Sequence, residues 1–212
     1  MPGSPHNQAG RLWWDFEGRP SDEFILGQKG VAYAPLLMKS ASTLFLSVKE
    51  LIKLGDPSSS EIYGGELFAE CLIADLHVTD KLAFVLLGDE KRCWFFDPLF
   101  QQTLVIVEDT LSHPGLEHET QPLFCGVYNS RIQRYAQLDA IARPNDAGGF
   151  NVSGSIGHEL AKNIGWHAGV FLSAHYADHY LNMVLGNELM ELLLGYAGCA
   201  TYRARVRPEG TR

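Results

Sequence analysis

Apolar and polar positions alternate in short blocks along much of the chain, and blocks bounded by Gly, Pro, Ser or Asn read as strands. Residues 24–26 and 31–34, on either side of Gly27 and Gly30, have this form. So do 67–75, 82–88 and 92–97, with Gly88-Asp89-Glu90-Lys91 as a polar turn between the last two. Residues 104–107 are an unbroken apolar run, the pattern of a strand buried on both faces, and 123–127 offer one more candidate.

Helical spacing is found elsewhere. Ser47 with Glu50 three residues on matches a capping box, and the helix it opens carries Leu51, Ile52 and Leu54 to a stop at Gly55. Ile132, Tyr135, Leu138 and Ile141 share one side of a helix within 130–141. Residues 158–194 read as mostly helical, broken near Gly165 or Gly169 and again at Gly186. Between these helices, 143–157 is the longest polar, Gly-rich stretch, the type of loop that serves as a functional cover. Residues 201–207 alternate like an edge strand. Strands interspersed with helices predict an α+β fold, a mixed sheet flanked by helices.

Composition narrows the class. A chain of 212 residues, 46% hydrophobic and 20% charged, suits one packed domain, here 19–212, preceded by an arm at 1–18. The first ten residues are small and polar, and the arm is expected to be partly disordered or docked on a partner subunit. Leu12-Trp13-Trp14-Asp15-Phe16 is too apolar to stay in water and is expected to dock, a second subunit being one candidate partner, so a homodimer is expected. A formal charge of −8 argues against nucleic acid as a partner. No unbroken apolar run reaches the roughly 18 residues that cross a bilayer, and the N-terminus has no signal-peptide layout. Four cysteines without a C-x-x-C pair fit a reduced, cytoplasmic protein.

Four groups of residues carry candidate chemistry. Pro57-Ser58-Ser59-Ser60, followed by Tyr63, Gly64 and Gly65, offers hydroxyls and backbone N–H groups to an anion, although a plain turn would use the same residues. Arg131, Arg134 and Tyr135 fall within about one and a half helical turns and suit a phosphate or a proton donor; a solvated helix face is the bland alternative. His175 and His179 stand at i and i+4, a spacing that chelates zinc only with further ligands, and no metal is assigned to them. His77, Asp97 and Cys125 follow the order of a cysteine acyl-transfer triad, against which stands an inert buried thiol.

Taken in order, these pieces resemble the nitroreductase superfamily, in particular its azoline-dehydrogenase branch from ribosomal-peptide biosynthesis. The resemblance rests on Pro57-Ser58-Ser59-Ser60-Glu61-Ile62-Tyr63, on Trp94-Phe95-Phe96-Asp97-Pro98, on Arg134-Tyr135 and on Gly157-His158. It implies a nitroreductase-like α+β homodimer, or a subunit of a biosynthetic complex, with FMN at the interface. Ser58, Ser59, Tyr63 and Arg131 would contact the flavin, and Arg134 and Tyr135 would assist proton removal from a small-molecule or peptide azoline. Two other readings stay open: a cysteine acyltransferase or protease-like enzyme using His77, Asp97 and Cys125, and a non-catalytic binding subunit that has lost its cofactor.

Overall fold

A computed structural model describes residues 20–55, 64–111, 119–146, 148–167 and 169–181, together with 189, 192 and 193. The first helix, α1 (Asp22–Gly55), starts where Ser21 Oγ accepts the Phe24 N–H at 3.2 Å, with Asp22 and Glu23 in its first turn and Lys53 in its last. These charges oppose the ends of the helix dipole. It is followed by α2 (Gly64–Leu87), α3 (Asp89–Leu111) and α4 (Thr120–Tyr135). A hairpin, β1 (Arg143–Pro144) and β2 (Phe150–Asn151), then leads through a 3₁₀ turn at Val152–Gly154 into α5 (Ile156–Asn163) and α6 (Gly169–His179).

This is a helical bundle. The mixed sheet flanked by helices, and with it the nitroreductase resemblance, is overturned: the chain is 84% helical among the described residues, with one two-stranded antiparallel ladder pairing Arg143 with Asn151 and Pro144 with Phe150. Residues 24–26, 31–34, 67–75, 92–97, 104–107 and 123–127, which pattern as strands, all lie inside helices, as does 82–87.

The physical reason is the position of α2. It packs on α1, α3, α4 and α5, and from Leu67 to Thr79 every residue except Ala69 is buried. A helix enclosed on all sides has no polar stripe, so its sequence reads as one apolar run, and periodicity alone does not separate that from a buried strand. The supposed turn at Gly88 is the joint between α2 and α3, with Gly88 at φ 78° ending one helix and Asp89 and Glu90 starting the next. Ser47 caps nothing; it lies in the middle of α1 and donates to the Thr43 and Leu44 carbonyls at 3.0 and 2.9 Å. The capping-box pattern is present in the sequence, but α1 is already running when it arrives, so it forms no cap.

The most extensive contact joins α1 to α3. Gly30 makes it possible: a Cβ there would lie 2.2 Å from the Phe95 carbonyl oxygen. By length and composition α1 would suffice to cross a membrane, a test that the core helix of a soluble bundle also passes. The first part of the Gly-rich 143–157 stretch is the exposed hairpin, where Asn145 Oδ1 accepts the Gly149 N–H at 2.9 Å and Gly148 sits at φ 79°, and its last three residues are buried at the start of α5. At the other end of α5, Gly165 at φ 72° terminates the helix before α6 begins.

Candidate functional site

Two buried carboxylates organise the inner side of α4. Arg131, Arg134 and Tyr135 recur at i, i+3 and i+4 and so share one face, which meets Glu70 on α2 and Glu159 on α5. Glu70, only 4% exposed, accepts the Arg131 Nε–H at 2.7 Å through Oε1. Its Oε2 accepts the Tyr135 hydroxyl and the Asn163 amide, both at 3.0 Å, and Asn163 Nδ2 also reaches the Tyr135 oxygen at 3.3 Å. Glu159, 5% exposed, accepts Arg134 at 3.3 Å and Lys162 at 3.4 Å. Ser155 caps this short helix, accepting the His158 N–H at 3.4 Å, and fixes the turn that carries Glu159.

The electrostatics follow from that arrangement. Burial, reinforced by the Glu70 charge, raises the Tyr135 phenol well above its ordinary range, so it stays a neutral donor. The hydrogen bond to Glu70 raises the Arg131 guanidinium. Burial pushes the Glu159 carboxyl up, but Arg134 and Lys162 together outweigh it and hold it below its usual value. Each guanidinium spends one nitrogen on its glutamate, and the remaining donors find no protein partner among the described residues. Arg131 and Arg134 keep about a third and about half of their side-chain surface open.

Behind this face lies His77, 3% exposed, with its ring 6.0 Å from that of Tyr135. Burial, with the Lys81 charge adding to it, depresses its pKa to about 4. A backbone group of Tyr135 pulls the other way but stays short of hydrogen-bond geometry, so both ring nitrogens lack a partner among the described residues.

A second polar knot joins α1, α2 and α6. Ser40 donates to Asp75 Oδ2 at 2.8 Å, and His179 Nε2 lies 3.2 Å from both Asp75 oxygens and 3.3 Å from Ser40 Oγ. A nucleophilic relay needs the acid and the hydroxyl on opposite ring nitrogens. Here both meet Nε2, so the knot is a buried lock between helices. Tyr176, wholly enclosed, has no hydrogen-bond partner for its hydroxyl among the described residues, and burial beside Asp75 raises that phenol well above its ordinary range.

Of the residues singled out from sequence, Ser58, Ser59 and Tyr63 lie outside the described residues. Arg131, Arg134 and Tyr135 do share a face, but Tyr135 turns inward to Glu70 while Arg134 pairs with Glu159. His175 and His179 part company: His175 Nε2 meets Ser47 Oγ at 2.8 Å, and no group of three or more His, Cys, Asp or Glu side chains among the described residues is arranged to hold a metal. His77, Asp97 and Cys125 do not assemble; Asp97 is exposed on α3 beside α1, Cys125 is half-buried on α4, and no hydrogen bond links any two of the three among the described residues. Sequence reasoning passed over Glu70, Glu159, Asn163, Ser40 and Asp75. Glu70 and Asp75 did carry a signal: acids set in the apolar run of residues 67–76, where an unpartnered charge would be costly. Comparison with family models, with curated proteins and with solved structures finds no match for this chain.

Proposed function

We propose that the protein is a ligand-binding helical domain that takes an anionic small molecule, a phosphate ester or a free carboxylate, on the α4–α5 face. One observation carries the reading: two buried glutamates hold two partly exposed arginines by one nitrogen each, and the remaining donors have no protein partner among the described residues. A guanidinium held in this way presents a fork to an oxyanion without first losing rotamer freedom. Lys162 adds a third cation to the same face. Counting Arg131, Arg134 and Lys162 against Glu70 and Glu159 gives a local charge of 3 − 2 = +1, in a chain whose total is −8.

FMN is one molecule with the required phosphate, and the flavin oxidoreductase reading survives as that special case. It has lost the fold that suggested it. Tyr135, the proton donor in that reading, is enclosed and already donates to Glu70.

The test is a calorimetric titration with inorganic phosphate, FMN and a dicarboxylate, with an absorbance scan of the purified protein to show any retained flavin. Arg134→Ala and Lys162→Ala are the informative variants, because both side chains reach the surface. Losing a charged hydrogen bond at Arg134 should weaken binding by about 1.5–3 kcal/mol. Saturable binding that Arg134→Ala leaves unchanged, or no saturable binding of any of the three probes, overturns the proposal.

A further inference from the structure

A cavity of about 620 Å³ opens between α1 and α3, on a different part of the molecule from the α4–α5 face. Phe24, Gly27, Val31, Trp94 and Pro98 give it a mainly apolar wall, and Glu90 and Asp97 stand exposed at its rim. Gly27 creates the width: a Cβ there would already touch Pro98 at 3.7 Å and the Trp94 carbonyl oxygen at 3.8 Å. Ser21, immediately before α1, belongs to the same wall.

We propose that this groove is the docking site of the chain's own segment Leu12-Trp13-Trp14-Asp15-Phe16. Three observations select that occupant. The first is reach: the segment ends five residues before Ser21, close enough to fold back on the start of α1, and its own five residues, extended at about 3.3 Å each, span roughly 17 Å. From Ser21 to Val31 the groove runs ten residues along α1, about 15 Å at 1.5 Å per helical residue. The second is direction. Gly18-Arg19-Pro20 supplies the turn signal needed for the chain to double back antiparallel to α1. The third is chemistry: three aromatics match the apolar wall, and Arg11 and Arg19 flank them in sequence with the charge that complements an acidic rim. The groove is thereby filled in cis, by the same molecule.

Cys93 lines the groove and Cys125 lies half-buried on α4, so the protein carries its own reporter and control. Alkylation of both thiols is followed by mass spectrometry in the full chain and in a variant with Trp13, Trp14 and Phe16 all replaced by Ala. Cys93 should react about tenfold faster or more in the variant, as expected when a local cover is removed, with Cys125 unchanged. A synthetic peptide of residues 8–19 should slow it again. Cys71, wholly buried, stays unreactive while the bundle holds. If it becomes reactive in the triple variant, Trp14→Ala alone supplies the comparison. Equal Cys93 rates with and without the aromatics overturn the proposal. So does wild-type protection that disappears on dilution together with a halving of mass in light scattering, because the groove would then be filled by a second copy.

Discussion

His77 is the clearest single residue at which burial and chemistry conflict. Its ring is enclosed and its nitrogens are unpartnered, so the folded protein disfavours the charged imidazolium. The folded-state pKa of about 4 lies below the ordinary 6.5, which means that the unfolded chain binds a proton first as pH falls. Stability from neutral His77 is therefore complete above about pH 6.5 and is lost as pH falls toward 4, reaching roughly 2 kcal/mol by about pH 5. His77→Leu removes the titrating group at similar volume. Urea midpoints taken between pH 7 and pH 4 should fall less steeply in His77→Leu than in wild type. Parallel curves would mean that His77 is hydrated or partnered in solution. From sequence His77 reads as a candidate base beside Asp97 and Cys125; what it lacks is either partner. Nothing local in the chain shows that, since the three residues sit on different helices facing different ways.

At the scale of elements, the helices differ in how much they reveal. Gly55, Gly165 and Gly169 mark helix ends or starts in the sequence and do so in the structure, because a backbone at positive φ or a missing side chain works within a few residues. The interiors of α1, α2 and α3 were illegible. Gly27 and Gly30 look like strand punctuation, but both lie inside α1, and the role of Gly30 is to let α3 approach. Pro98 looks like the end of a strand, yet α3 runs through it. These are tertiary facts written in residues that also have local meanings. Two glycines test the distinction. Gly30→Ala drives a methyl group into the Phe95 carbonyl and should cost about 1–3 kcal/mol. Gly126→Ala meets nothing within 4 Å on the exposed side of α4 and should gain roughly 0.5–1 kcal/mol from helix propensity. Thermal melts of the two variants should move in opposite directions; the same sign in both would mean that propensity, not contact, governs Gly30.

In the molecule as a whole, the apolar α1–α3 contact is the broadest join, whereas α6 is tied to α1 and α2 through few polar atoms: His175 to Ser47, and His179 to Ser40 and Asp75. His179→Ala leaves Asp75 buried with Ser40 alone, and removing one hydrogen-bond partner of a buried polar group costs about 1–3 kcal/mol. Hydrogen exchange should then quicken in α6 before it quickens in the contact between α1 and α3. Uniform loss of protection across all helices would show the bundle unfolding as one unit. The α4–α5 face was half visible in the sequence: Arg131, Arg134 and Tyr135 could be picked out by spacing, but the glutamates that aim the arginines come from two other helices and were not.

The enclosure of α2 also bears on how such a chain can change over generations. A helix with an outer face drifts there freely, while its inner face answers to one neighbour. From Leu67 to Thr79 there is almost no outer face, and the inner positions answer to several neighbours in turn: Asp75 to Ser40 and His179, Glu70 to Arg131, Tyr135 and Asn163. A substitution at one of these positions is tolerated only when a matching one arises on a different helix far away in the chain. The longest enclosed stretch among the described residues is thus one whose polar positions are expected to vary together with distant partners.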